Sequence, residues 1–108
     1  MNIKDLLMCM EQFRNLNPNM PIQQAQTFLY ICQHENKPDG LTIKDISDAL
    51  GFSHASASRN VAAFTDWSRH RRSGHDLVVA LEDPMDRSRK LVSLNAQGVR
   101  MKKLLEAQ

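Results

Sequence analysis

Three features of the sequence predict a mainly α chain with a small β-ribbon, arranged as a winged helix-turn-helix. The stretch "LTIKDISDALGFSHASASRNVAAF" (41–64) reads as two short amphipathic helices about a glycine turn. Two apolar segments, "LVVALE" (77–82) and "KLVSL" (90–94), flank an Asp83-Pro84 turn crowded with arginines, as in a β-ribbon with a basic tip. Charge is also divided along the chain. Residues 1–51 carry four Lys or Arg against six Asp or Glu, whereas 52–108 carry ten against six, so the net +2 hides a basic second half.

Each element follows in order. Ile3, Leu6, Leu7, Met10 and Phe13 recur at helical spacing with Asn2 as N-cap, giving a helix over about 2–15. "NPNMP" (17–21) breaks it, and Pro21 suits the first turn of a second helix running to about His34. That helix places Ile22, Ala25, Phe28, Leu29 and Cys32 on one face, and "ENKPDG" (35–40) is a turn by composition.

The helix-turn-helix spans about 42–66. Thr42 with Asp45 three residues on is a capping-box signature, and Ile43, Ile46, Ala49 and Leu50 form the apolar face behind it. Gly51 supplies the left-handed conformation that ends the helix. Ser53 caps the next, in which Ala57, Val61 and Phe64 repeat. The wing covers about 77–94. Asn95 then caps a last helix over 95–107, with Met101, Leu104 and Leu105 as its apolar patch.

A chain of 108 residues, 42% hydrophobic and 24% charged, suits one soluble domain over 1–108 without metal or disulfide support. Cys9 and Cys32 lie inside helical apolar patterns, so free thiols are expected rather than a disulfide or zinc site. No signal layout or membrane-length apolar run is present, so a cytoplasmic protein without a membrane partner is expected. No carboxylate pair, Cys–His pairing or phosphate loop stands in a catalytic arrangement, so neither an enzyme nor a cofactor is expected.

On the second helix of the helix-turn-helix, His54, Ser56, Ser58, Arg59 and Asn60 fall near the exposed N-terminal turns. Short side chains there allow close approach to a groove, where Arg and Asn read guanine and adenine edges. On the wing, Arg87, Ser88, Arg89 and Lys90 are placed for the minor groove or its phosphates, with Asp86 pairing one arginine to hold the turn. Arg69, Arg71 and Arg72 form a further basic run that either lies along the DNA backbone or is a solvated face. A metal site at His70 and His75 lacks a third ligand.

The stretch from Leu41 to Phe64, followed by "DPMDRSRKLVSLNAQG" (83–98), resembles the MarR family of multiple-antibiotic-resistance regulators over about 22–105. Those proteins carry a wing of the form D-P-x-D-x-R, a strand, then L-T-x-x-G. Asp83, Pro84, Asp86, Leu94 and Gly98 match it, while Ser88 stands at the family arginine between Arg87 and Arg89, and Asn95 replaces the threonine. The link over 66–76 is longer and more basic than usual.

The resemblance implies a dimeric regulator of double-stranded DNA. The sequence stops short of the C-terminal helix that members use for dimerisation and ligand binding, so a small-molecule effector is not part of the expectation. A homodimer is instead expected through the terminal helices, by Ile3, Leu7 and Met10 with Met101, Leu104 and Leu105. Two other readings compete: a winged-helix protein-interaction module (antirepressor or assembly adaptor), and a replication or partition factor. The basic second half favours DNA over a protein partner.

Overall fold

The computed structural model describes residues 1–66 and 74–108. Helix α1, Ile3–Leu16, starts where the Asn2 side chain accepts the Asp5 N–H at 2.9 Å. Phe13 is its one buried residue and meets Phe28 edge-to-face at 6.0 Å. In α2, Ile22–His34, Pro21 serves as the N-cap, one position earlier than the spacing suggests. Its buried Thr27 is satisfied by donating its hydroxyl back to the Gln23 carbonyl.

A two-residue strand, β1 (Leu41–Thr42), leads directly into α3, Ile43–Leu50. The capping box forms in full: the Thr42 hydroxyl accepts the Asp45 N–H, and the Asp45 carboxylate accepts the Thr42 N–H. Gly51 ends α3 at φ +73°, and the Gly51 and Phe52 N–H groups both return to the Ser47 carbonyl. Ser47 then donates its hydroxyl to the Phe52 carbonyl, which fixes the turn into α4, His54–Ala62.

Strands β2 (Val78–Asp83) and β3 (Asp86–Leu94) form the wing, and the antiparallel sheet has the order β1-β3-β2. Two expectations are corrected here. The ribbon gains a third strand, because Leu41 pairs with Val92 and Thr42 with Leu91. Strand β3 begins at Asp86 instead of residue 90, so Arg87, Ser88 and Arg89 belong to a strand and the tip is Pro84-Met85. Asp86 pairs with Asp83 and Lys90 with Glu82, and Arg87, Ser88 and Arg89 fall in the register shift between those two pairs.

The core joins these layers. Phe28, Ile31, Leu41, Ile46, Val61, Phe64, Val78 and Val92 are its most deeply buried side chains, with Phe28 and Phe64 at 5.2 Å. Just past α4, the Phe64 carbonyl accepts N–H groups from both Leu77 and Val78, tying the end of that helix to the start of the wing. Helix α5, Ala96–Glu106, is capped by Asn95, whose side chain accepts the Gly98 N–H and donates to Asp76. Glycine is required at 98 because a Cβ there would lie 2.0 Å from the Leu77 carbonyl oxygen.

The terminal helices split the expected apolar patch. Ile3, Leu7 and Met10 are exposed at 79, 61 and 52%, and Leu104 is exposed too. Met101 and Leu105 are buried in the core, which corrects their assignment to an outer surface. They lie four residues apart on the stripe of α5 that faces inward. Cys9 and Cys32 are free thiols, the first half-buried, the second buried and pushed up to about 12 by that burial. No described helix is long and apolar enough to cross a membrane.

Candidate nucleic-acid interface

The start of α4 is set by its cap. Ser53 Oγ accepts the Ser56 N–H at 3.1 Å and donates to Ser56 Oγ at 3.0 Å, and Arg59 Nη2 donates to the same hydroxyl at 3.2 Å. The Arg59 guanidinium is thus steered along the helix face with most of its donors still outward. His54 and Arg59 are exposed, while Ser56 and Ser58 are half-buried.

Asn60 departs from expectation. It is buried, and its Nδ2 is without a hydrogen-bond partner among the described residues. Spacing explains the burial: Ala57, Asn60, Val61 and Phe64 share the stripe that turns toward the core. Asn60 is therefore not one of the exposed positions of α4.

The wing is braced from within. The N–H of Met85 donates to Asp83 Oδ1 at 2.9 Å, and Asp83 Oδ2 lies 3.8 Å from Arg89 Nε, an ionic contact longer than a hydrogen bond. Beyond the turn, Asp86 Oδ1 accepts both the backbone N–H and the hydroxyl of Ser88. Those two bonds, the hydroxyl's first, hold the Asp86 carboxyl below its usual range. Asp86 thus pairs with Ser88, while Arg89 is held by Asp83. Arg87 is exposed with no partner among the described residues, and Lys90 is exposed opposite Glu82 in the ladder.

Helix and wing meet across a cleft of about 940 Å³. It gathers His54 and Ser58 from α4, Ser88, Arg89 and Lys90 from the wing, and Lys37 and Lys44 from around the start of α3. A second cleft, about 820 Å³, runs along the other flank of α4 and is lined by Ser58, Arg59, Asn60, Asp76, Leu81 and Lys90. Arg59 and Lys90 therefore share a groove as well. Of the candidate residues, His54 and Ser58 of α4 line the first cleft with Ser88, Arg89 and Lys90 of the wing, Arg59 lines the second, and Ser56 and Arg87 line neither.

Lys37 and Lys44 were not picked out from the sequence, where they are single charges among acidic neighbours. Lys37 pairs with Asp45 at 3.2 Å and Lys44 with Asp48 at 2.7 Å. Burial pushes the Asp45 carboxyl up, but bonds from the Thr42 N–H, Lys37 and the Thr42 hydroxyl outweigh it and leave the group lowered. Arg69, Arg71, Arg72, Trp67 and His70 lie outside the described residues. His75 packs on the Phe64 ring at 5.6 Å, and burial lowers its imidazole below the ordinary range. No cluster of metal-binding side chains occurs among the described residues.

A helix-turn-helix whose second helix stands beside a β-hairpin, backed by a third strand, is a winged helix. The sequence model of the MarR family matches residues 19–68. Among solved structures, an S. aureus MepR mutant bound to an oligodeoxyribonucleotide is 21% identical with a TM-score of 0.72, covering 96% of this chain and 67% of that one. The S. aureus MepR–DNA complex is 22% identical with a TM-score of 0.66, covering 96% and 72%. The heme sensor protein PefR, in complex with heme and carbon monoxide, is 19% identical with a TM-score of 0.62, covering 79% of this chain and 51% of that one. The chain thus spans about half to three quarters of the length of these structures. No curated protein matches it. The family model matches less than half of the chain, and the structural likeness, at 19–22% identity, shows the winged-helix fold.

Proposed function

We propose that the protein is a sequence-specific double-stranded-DNA-binding transcriptional regulator and not an enzyme. The recognition helix α4 enters the major groove while the wing lies along the adjacent minor groove or its phosphates. The observation that carries this is the shared cleft, in which His54 and Ser58 face Ser88, Arg89 and Lys90. A short, hydroxyl-rich helix start can approach base edges closely, and cations beside it meet the backbone that flanks the same groove. Solved relatives of the fold, both MepR structures named above, are bound to DNA. A protein-adaptor role is less well served, because among the described residues the surface around α4 offers cations and hydroxyls in place of aromatic anchors.

Selection from a random-sequence duplex library, followed by fluorescence anisotropy at two salt concentrations, tests the reading. Enrichment of a motif, with binding weakened by salt, is the expected result. Equal binding to selected and random duplexes would reduce the interaction to non-specific attachment. No binding would overturn the reading in favour of a protein partner.

A further inference from the structure

The wing ends in an unusual residue for a hairpin tip. Two-residue hairpin turns favour Asn, Asp or Gly in left-handed conformations. Here the tip is Pro84-Met85. The proline ring fixes a negative φ, and Met85 is not among the positive-φ residues, so the primed turns and type II are both excluded. The mismatch with strand twist is absorbed by a register shift between Glu82 and Asp83. Met85 itself is 92% exposed, the most exposed large apolar side chain among the described residues.

One exposed methionine needs no explanation on its own. What singles this one out is how it is held and what stands beside it. Its N–H is bonded to the buried Asp83, which is in turn faced by Arg89, and Asp86 fastens the far side through Ser88. The turn is therefore braced on both strands, while the thioether projects unsupported from its end. Arg87, with no partner among the described residues, lies two residues away, and Met85 also borders the cleft shared with His54 and Ser58.

Building on the DNA-binding reading, we propose that Met85 is an apolar wedge, inserting from the minor groove into a base step flanking the one read by α4. Apolar side chains inserted at minor-groove steps unstack neighbouring bases and kink the duplex. A flexible, polarizable thioether suits such a slot, and a braced turn prevents the insertion force from folding the tip back. Arg87 would hold the adjacent phosphates. Sequence preference would then arise at a flanking step that unstacks cheaply, without any hydrogen bond to its bases.

The test uses the full chain and a duplex that it has itself selected, with 2-aminopurine placed at each flanking adenine in turn. Wild type should raise the fluorescence at one flanking step by unstacking it. Met85→Ala should bind about tenfold more weakly, the loss expected when most of one apolar side chain is no longer buried, and should abolish the rise. Met85→Leu should restore both. Because Met85 touches little of the protein, the thermal melting of all three should coincide. A wild type that binds without a rise, or a rise that persists in Met85→Ala, overturns the wedge and leaves DNA binding intact. If wild type selects no duplex at all, the DNA-binding reading fails, and the wedge with it.

Discussion

Arg59 and Asn60 are neighbours in sequence with opposite fates. Both fall within two turns of the Ser53 cap, and polarity alone puts both on the outer face of α4. Helical spacing from Ala57 and Val61 argues otherwise for Asn60, which the structure buries with its amide nitrogen unpaired among the described residues. That pattern was legible in the sequence, but polar character outweighed it, because buried asparagines are uncommon. The two residues should therefore separate in experiment. Arg59→Ala should cost about 1–3 kcal/mol at the preferred duplex and little on random DNA. An equal loss on both would make Arg59 a phosphate contact. Asn60→Leu, which removes a buried donor unpaired among the described residues, should leave affinity unchanged and hold or raise the urea midpoint of unfolding. A lowered midpoint would mean the amide is satisfied.

Elements were most legible where caps punctuate them. Asn2, Thr42 with Asp45, Gly51, Ser53 and Asn95 each act as their local chemistry dictates, since capping depends on the chain a few residues either side. Strand pairing depends on distant partners, and there the reading fell short. β1 is two residues with no period to detect, and the start of β3 looks like loop until β2 is laid beside it. Side-chain contacts divide the wing arginines into different roles, since Arg89 faces Asp83 and Arg87 has no partner among the described residues. Arg87→Ala should weaken binding across sequences and reduce the salt slope by about one, with melting unchanged. Arg89→Ala should do likewise but also lower the melting temperature, since it leaves the buried Asp83 carboxylate without its cation. Identical melting for both variants would show that Arg89 does not brace the turn.

The junction between α4 and the wing should also respond to pH. His75, packed on Phe64, has its imidazole lowered from 6.5 by burial. Below about that pH the unfolded chain takes up a proton that the folded chain refuses, so stability falls as pH drops toward the folded value. Above 6.5 the imidazole is neutral in both states and contributes no slope. Urea unfolding of wild type and His75→Leu across this window checks the sign. The variant should lose less stability on acidification, and parallel losses would clear His75 of the effect.

For the whole molecule, the question is assembly. Helix α1 buries Phe13 but leaves Ile3, Leu7 and Met10 in solvent, and Leu104 on α5 adds to the exposed apolar surface at the chain ends. We propose that these residues form a two-fold dimer, which would set two recognition helices on successive turns of an inverted repeat. Sedimentation equilibrium should give twice the mass of 12.3 kDa, and Leu7→Glu should return it to the monomer without unfolding. A wild-type monomer that persists when DNA is added would remove the dimer. Met101 and Leu105 take no part in this surface; their burial could not be foreseen because a short amphipathic helix does not reveal which of its apolar positions meets the core first.

The central claim, that α4 and the wing occupy adjacent grooves of one duplex, is most directly tested by methylation interference on the selected duplex. Dimethyl sulfate marks guanine N7 in the major groove and adenine N3 in the minor groove, so one experiment reports on both. Interference is expected at guanine N7 inside each half-site and at adenine N3 on its flank, with the flanking signal lost in Arg87→Ala and the inner one in Arg59→Ala. Interference at adenine N3 without any at guanine N7, or at neither, would contradict it.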